Sequence, residues 1–82
     1  LSAKQGYALS QNDLGISYAM GNGVLKNNIK AHMWFNIASA NGNETSGMLR
    51  DKIENKMTSE DISKATAMAR KCMASDYKKC GY

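Results

Sequence analysis

The sequence predicts a single all-α domain, and three observations favour it. The chain has 82 residues, which is the size of one small domain. Its apolar content is mostly small and aliphatic, with six Met but only one Phe and one Trp, which suits packed helices better than a β-sandwich. Apolar residues also recur at helical spacing. We therefore expect four helices in two antiparallel hairpins.

A glycine-rich turn separates the first two predicted helices. Within residues 7–20, apolar residues fall on neighbouring helical stripes. The triplet at 21–23 ends this helix, because glycine tolerates the left-handed conformation found at helix ends. A phosphate-binding loop would open a helix instead, so the triplet is interpreted as a turn. Asn27 or Asn28 can cap the second helix, and the Asn-Gly pair at 41–42 ends it.

Two further helices are predicted in the second half of the chain. Residues 44–56 carry the weaker apolar stripe, and a loop at 57–58 follows it. The last helix has the strongest signals. Thr58, with Asp61 three positions later, approximates a capping box, and apolar positions recur at helical spacing through 62–73.

Composition excludes several classes of protein. A multidomain enzyme needs a longer chain. No apolar run approaches the roughly 20 residues that a membrane span requires. The net charge is +4, but both signs are interleaved in the charged second half, whereas nucleic-acid binders cluster Lys and Arg on one face.

Because the first residue is Leu, we expect either a processed mature chain, from which a signal peptide has been lost, or a piece of a longer protein.

Several motifs in the first half match a known repeat pattern. A shift of 36 residues aligns Gly6 with Gly42, and this is a period typical of helical repeats. The sequence resembles the Sel-one-like repeats, relatives of the tetratricopeptide repeats, at the C-terminal end of such a protein. The matching residues are Gln5, Gly6, Ala8, Gln11, Leu14, Gly15, Tyr18, Gly21, Gly23, Val24, Ala31, Trp34, Ala38 and Gly42.

This resemblance implies an α/α solenoid of about two hairpins within a single domain, 1–82. Residues 1–6 would be the tail of a preceding unit, 7–42 one repeat unit, and 43–82 a divergent C-terminal capping hairpin. Gly15 inside a helix costs roughly 1 kcal/mol relative to Ala, which indicates a close helix crossing. The expected repeat core consists of Ala8, Leu14, Gly15, Tyr18, Ala31, Trp34 and Ala38.

The two cysteines are eight residues apart, at positions 72 and 80. On a continuous helix this separation spans about 12 Å, which is too far for a disulfide. A bond between Cys72 and Cys80 therefore requires the helix to end at 76–79, with Gly81 free to adopt an unusual backbone conformation. We expect this bond, which would contribute roughly 2.5 kcal/mol and place the chain in the periplasm or outside the cell. Free thiols and a cytoplasmic location are the alternative.

No catalytic residue, metal site or cofactor is predicted. His32 is the only histidine, it has no nucleophile or metal-ligand spacing around it, and we place it at the surface or in an interface. The acidic pairs Asp51/Glu54 and Glu60/Asp61 lie beside lysines or at a helix start. We interpret them as solvated or dipole-matching charges.

One face of the first helix is left free by the repeat pattern, and in such arrays this face lines the concave surface where partners bind. Positions on the third helix that correspond at the 36-residue shift would extend this concave surface into a groove and make its end basic. They are Thr45, Met48, Leu49, Lys52 and Lys56. The predicted partner-binding residues are Leu9, Asn12, Asp13, Ile16, Met20, Met48 and Lys52. The alternative is that these residues cover a helix of a missing repeat.

The resemblance implies a protein–protein interaction module rather than an enzyme. Its relatives include exported bacterial adaptors, among them toxin-immunity proteins and virulence adaptors. Two alternatives stay open. One is a hydrolase, because some cysteine-rich relatives are labelled β-lactamases, although this chain has no Ser-x-x-Lys motif. The other is a purely structural end cap. An exposed solenoid end would also allow a homodimer.

Overall fold

A computed structural model describes residues 7–80. In this part of the chain, helices are joined by short turns. The helices are α1 (Ala8–Met20), α2 (Asn28–Ala40), α3 (Glu44–Glu54) and α4 (Ser59–Ala74). There is no strand within residues 7–80. The all-α prediction is confirmed, and each helix begins and ends within two residues of its expected bounds. The predicted tail of a preceding unit, residues 1–6, lies outside the described residues.

Side-chain caps begin three of these helices and explain why they start where they do. The capping residues are Asn27 for α2, Asn43 for α3 and Thr58 for α4. In each case the side-chain oxygen accepts the backbone N–H three residues later, at 3.0 to 3.1 Å. Such a cap satisfies a donor that has no partner inside the helix. The predicted cap at Thr58 is therefore confirmed, and Asn27 rather than Asn28 caps α2.

Helix α2 is central and packs against the other three helices. Both α3 and α4 pack more extensively on α2 than on each other. Helices α1, α3 and α4 therefore surround α2, which supplies most of the buried residues. The fold class is confirmed at the level of packed helices, and the repeat solenoid stays a prediction.

Most of the predicted core residues are buried, either on α2 or on the face of α1 that packs against it. Ala8 and Leu14 are only half-buried, although Leu14 still packs against the core. The predicted core residues that are buried are Gly15, Tyr18, Ala31, Trp34 and Ala38.

Gly15 lies where α1 approaches α2 closely. A Cβ atom added to Gly15 would lie 2.6 Å from Cδ1 and Cε1 of the Phe35 ring. Phe35 is itself buried in the core, so its ring has little space into which to move. The close helix crossing expected from this glycine is confirmed.

We expect Gly15→Ala to lower the free energy of unfolding by up to about 2 kcal/mol. Overpacking a core typically costs about 1–3 kcal/mol, and the gain of about 1 kcal/mol in helix propensity offsets only part of it. Gly47→Ala in α3 is the matched control, because a Cβ there would meet only the Ser39 Oγ within 3.4 Å, at 3.2 Å. Urea unfolding should show G47A at least as stable as the wild type. A G15A variant as stable as G47A would contradict the close crossing.

The C-terminal end of α4 turns the chain back on itself. The N–H of Tyr77 donates to the Cys72 carbonyl at 2.9 Å, and the N–H of Asp76 donates to the Met73 carbonyl at 3.2 Å. This pair of bonds is a Schellman motif. Asp76 and Tyr77 adopt positive φ values of 56° and 64°, which glycine usually supplies. The chain therefore reverses at 76–77, within the predicted segment.

This reversal brings Cys80 back to Cys72. The structure joins the two in a disulfide, with Cα atoms 4.4 Å apart, and both residues are buried. Gly81, which was expected to help the chain turn, lies outside the described residues. The chain reversal that the pairing requires is formed by Asp76 and Tyr77, within the predicted segment 76–79.

Candidate functional site

A groove of about 520 Å³ opens between α1 and α3. Helix α2 forms its floor, α1 and α3 form its walls, and the loop before α2 contributes one residue. We refer to this site as the groove. Its lining residues are Ile16, Ala19, Met20, Lys26, Asn28, Phe35, Leu49, Lys52, Ile53 and Lys56.

The inside of the groove is apolar. Phe35 and Ile53 are buried at its base, and both belong to the core cluster. Ile16 and Leu49 are half-buried on the opposite walls and pack against that cluster. Met20 extends from the end of α1 with 67% of its surface exposed. A partner that covers this surface would remove apolar area from water, which is the main favourable term in most protein association.

A hydrogen bond joins α1 and α3, the two helices that form the walls of the groove. Ser46 Oγ donates to Asn12 Oδ1 at 2.7 Å, and Ser46 is fully buried. Asn12 lies one helical turn before Ile16, and Ser46 lies three residues before Leu49. This bond therefore fixes the spacing of the two walls next to the apolar surface.

The rim of the groove is basic. Lys26, Lys52 and Lys56 are exposed, and no acidic side chain within residues 7–80 forms an ion pair with any of them. Three unpaired ammonium groups around an apolar surface produce a positive local potential. The groove end therefore has the basic character that was expected from Lys52 and Lys56, and Lys26 from the loop adds to it.

The structure gathers only some of the predicted partner-binding residues in the groove. Ile16, Met20 and Lys52 line it. The other four lie outside the lining. Asn12 accepts the hydrogen bond from Ser46 that joins α1 to α3. The remaining three residues, all exposed, are Leu9, Asp13 and Met48.

His32 is predicted to lie at the surface or in an interface, and the surface placement is wrong. Its side chain is buried, with only 1% of the residue exposed, because α2 is surrounded by the other helices. His32 Nε2 lies 2.8 Å from Glu54 Oε2, and Nδ1 has no hydrogen-bond partner within the described residues. The acids Asp51 and Glu54 are predicted to be solvated or dipole-matching charges. Asp51 is exposed, whereas the partly exposed Glu54 also ties α3 to α2 through His32.

A second polar contact holds α3 on α2. Arg50 Nη1 donates to Asn36 Oδ1 at 3.0 Å, and Arg50 also contacts the neighbouring Asp51 at 3.3 Å. Together with the contact between His32 and Glu54, this bond fixes the rotation of α3. The rotation in turn sets which α3 residues face the groove.

Sequence reasoning also missed a polar cluster at the far end of α1 and α2. Asn41 Nδ2 donates to Gln11 Oε1 at 2.8 Å and to Tyr77 Oη at 3.0 Å. Gln11 is fully buried. The cluster therefore connects α1, the end of α2 and the disulfide-bonded tail. Gln11 belongs to the repeat pattern, but that pattern gave no sign that its amide is buried.

The groove shows no arrangement of residues typical of catalysis. Its lining contains three lysines and one asparagine but no His, Cys, Ser or acidic residue. No group of three or more His, Cys, Asp and Glu residues within 7–80 is placed to hold a metal ion. No helix in the described part of the chain has the length and apolar character needed to cross a membrane.

No protein-family model and no curated protein sequence matches this chain. The functional assignment therefore depends on the groove.

Proposed function

We propose that this chain is a protein–protein interaction module that binds a partner in the groove. The observation that carries the proposal is an open apolar groove with a volume of about 520 Å³, which lies between two helices and is bordered by lysines. Binding surfaces commonly combine a buried apolar centre with a polar rim. Ile16 and Leu49 are the central anchors, and Met20 closes over the partner from the edge.

The resemblance to Sel-one-like repeats supports the same location. In that interpretation α1 and α3 are the first helices of successive hairpins, and such helices line the concave face of a solenoid. The groove lies between these two helices. The groove contains Ile16, Met20 and Lys52 of the face that the resemblance implies, and the chain acts as an adaptor that uses it.

The disulfide supports an exported location for this adaptor. Disulfides persist in oxidising compartments and are rare in the cytosol. We therefore place the protein in the periplasm or outside the cell, where toxin-immunity proteins and virulence adaptors of this repeat class act. Binding rather than hydrolysis is favoured because the single imidazole, His32, lies outside the groove and is bonded to Glu54. Clear turnover of a penicillin would contradict this assignment.

Two methionines provide a matched pair for the test. Met20 lines the groove and is 67% exposed, while Met48 lies outside it and is 66% exposed. Because both side chains are exposed, a charge at either position should leave the fold intact. We expect Met20→Glu to weaken partner binding at least about tenfold, since burying a Met side chain contributes about 1.5–3 kcal/mol. Met48→Glu should retain the wild-type affinity.

The measurement is quantitative affinity capture from the cells that express the protein, followed by titration of each variant with the purified partner. Equal loss in M20E and M48E would contradict binding in the groove and favour the broader face predicted from sequence. Failure of the wild type to retain any partner would favour the structural end cap.

A further inference from the structure

We propose that the groove binds an acidic amphipathic helix, in which apolar side chains enter between α1 and α3 while Asp or Glu side chains pair with Lys26, Lys52 and Lys56. This inference rests on the proposed function and names the chemical class of the partner. It follows from two features of the groove: its charge, and the spacing of its side chains.

The positive charge of the rim favours a partner that carries negative charge. None of the three lysines has an acidic partner within residues 7–80, so a bound segment meets three uncompensated positive charges. Like charges brought next to them would be repelled, and acidic groups would be attracted. Because the lysines border an apolar floor, a bound partner would also exclude water from these ion pairs and strengthen them.

The spacing of the side chains selects a helix. On the α3 wall, Leu49 and Ile53 form an apolar row, four residues apart and so about 6 Å apart along the helix. Lys52 lies beside this row on α3, and Lys56 follows in the turn after the helix. A partner helix with apolar residues at i and i+4, and acidic residues in the neighbouring row, repeats with the same period.

The opposite wall has the same spacing. Ile16 and Met20 are four residues apart on α1 and both line the groove. A helix lying along the groove therefore contacts apolar pairs of equal spacing on both sides. Two or three apolar anchors of the partner would then lie over the Phe35 ring at the base.

Other anionic ligands fit these features less well. A nucleic acid would supply phosphates for the lysines, but the lining offers only the Asn28 amide as a further polar side chain, and base recognition needs polar contacts to base edges. A long-chain carboxylate would fill the apolar part but carries one charge for three lysines. Both ligands are included in the test as competing outcomes.

The test is a selection of random 16-residue peptides displayed on phage, with the intact protein immobilised. Peptides that also bind M20E are removed, so that those that remain depend on the groove. We expect the enriched peptides to carry apolar residues at i and i+4 with Asp or Glu in the adjacent row. Their circular dichroism should show helix formation on binding.

A charge-matched pair of variants then tests the lysines. The triple variant K26Q/K52Q/K56Q should bind the best selected peptide about tenfold more weakly, because an exposed ion pair contributes about 0.2–1 kcal/mol. The control K64Q/K71Q/K78Q removes the same total charge from exposed lysines outside the groove and should bind within about twofold of the wild type. Raising the salt concentration should weaken binding to the wild type more than binding to the groove triple.

Three results would overturn the acidic helix. Groove-dependent peptides without an acidic row would do so, and they would leave the proposed interaction module in place. Equal weakening by the two triple variants would show that net charge alone acts. Tighter binding of dodecanoate or of single-stranded (dT)20 than of any selected peptide would assign the groove to a lipid-like anion or to nucleic acid. Equal loss of partner binding in M20E and M48E, by contrast, would contradict binding in the groove, and failure of the wild type to retain any partner would remove the interaction module itself.

Discussion

Replacing Trp34 with alanine is expected to lower the free energy of unfolding by about 3–5 kcal/mol. Trp34 lies on the central helix with none of its surface exposed, and it belongs to the core cluster that all four helices share. Truncating it removes the favourable transfer free energy of the indole and leaves a cavity between α2 and the helices packed around it. Small domains have total stabilities of about 5–15 kcal/mol, so W34A should lose much of its cooperative unfolding.

The loss should be measured by urea unfolding followed by far-ultraviolet circular dichroism, because W34A lacks the only tryptophan. Trp34→Phe keeps an aromatic ring and should lie between W34A and the wild type. Leu25→Ala is the control, since Leu25 is 90% exposed and surface changes are usually within about 0.5 kcal/mol. A loss below about 1.5 kcal/mol in W34A, against the range for large core truncations, would contradict the central position of α2.

Removing the disulfide is expected to cost about 2.5 kcal/mol of stability. The closed loop between Cys72 and Cys80 is short, so the chain-entropy contribution lies at the lower end of the usual range. For a domain of this size, such a loss lowers the melting temperature by roughly 10–20 °C. The tail would also lose its restraint near Tyr77, whose hydroxyl accepts a hydrogen bond from Asn41.

Thermal unfolding with and without dithiothreitol measures this effect. The double variant C72A/C80A should unfold near the melting temperature of the reduced wild type and should not respond to the reductant. Hydrogen exchange adds a local measurement, because the Tyr77 amide that bonds the Cys72 carbonyl should lose protection on reduction. An unchanged melting temperature after complete reduction would show that the Schellman turn alone holds the tail.

The sequence predicted local features well because local contacts determine them. The cap at Thr58 bonds a residue three positions away, and the left-handed turn at Gly21 ends α1 with a bond to Ser17. The chain reversal at residues 76–77 is local as well. These features depend on backbone conformation and on side chains within one turn, and such information is contained in any short window of sequence.

His32 and Gln11 show where local reasoning failed. Each has polar groups that favour solvent, yet both are buried. Their partners are distant in sequence: His32 bonds Glu54 across 22 positions, and Gln11 bonds Asn41 across 30. A signal for His32 was present, because α2 carries apolar residues on every side, and a helix that is apolar all round is a buried helix.

The sequence by itself determined the all-α class and the four helices with their ends, and it favoured the pairing of Cys72 with Cys80 over free thiols. It also predicted seven partner-binding residues, of which Ile16, Met20 and Lys52 line the groove. Only the tertiary structure decided which residues line it: Lys26, Phe35 and Ile53 do so as well, while Leu9, Asp13 and Met48 lie outside it. The width of the groove depends on the Ser46–Asn12 bond and on the rotation of α3 over α2. Those contacts join residues far apart in the chain, so no periodic pattern encodes them.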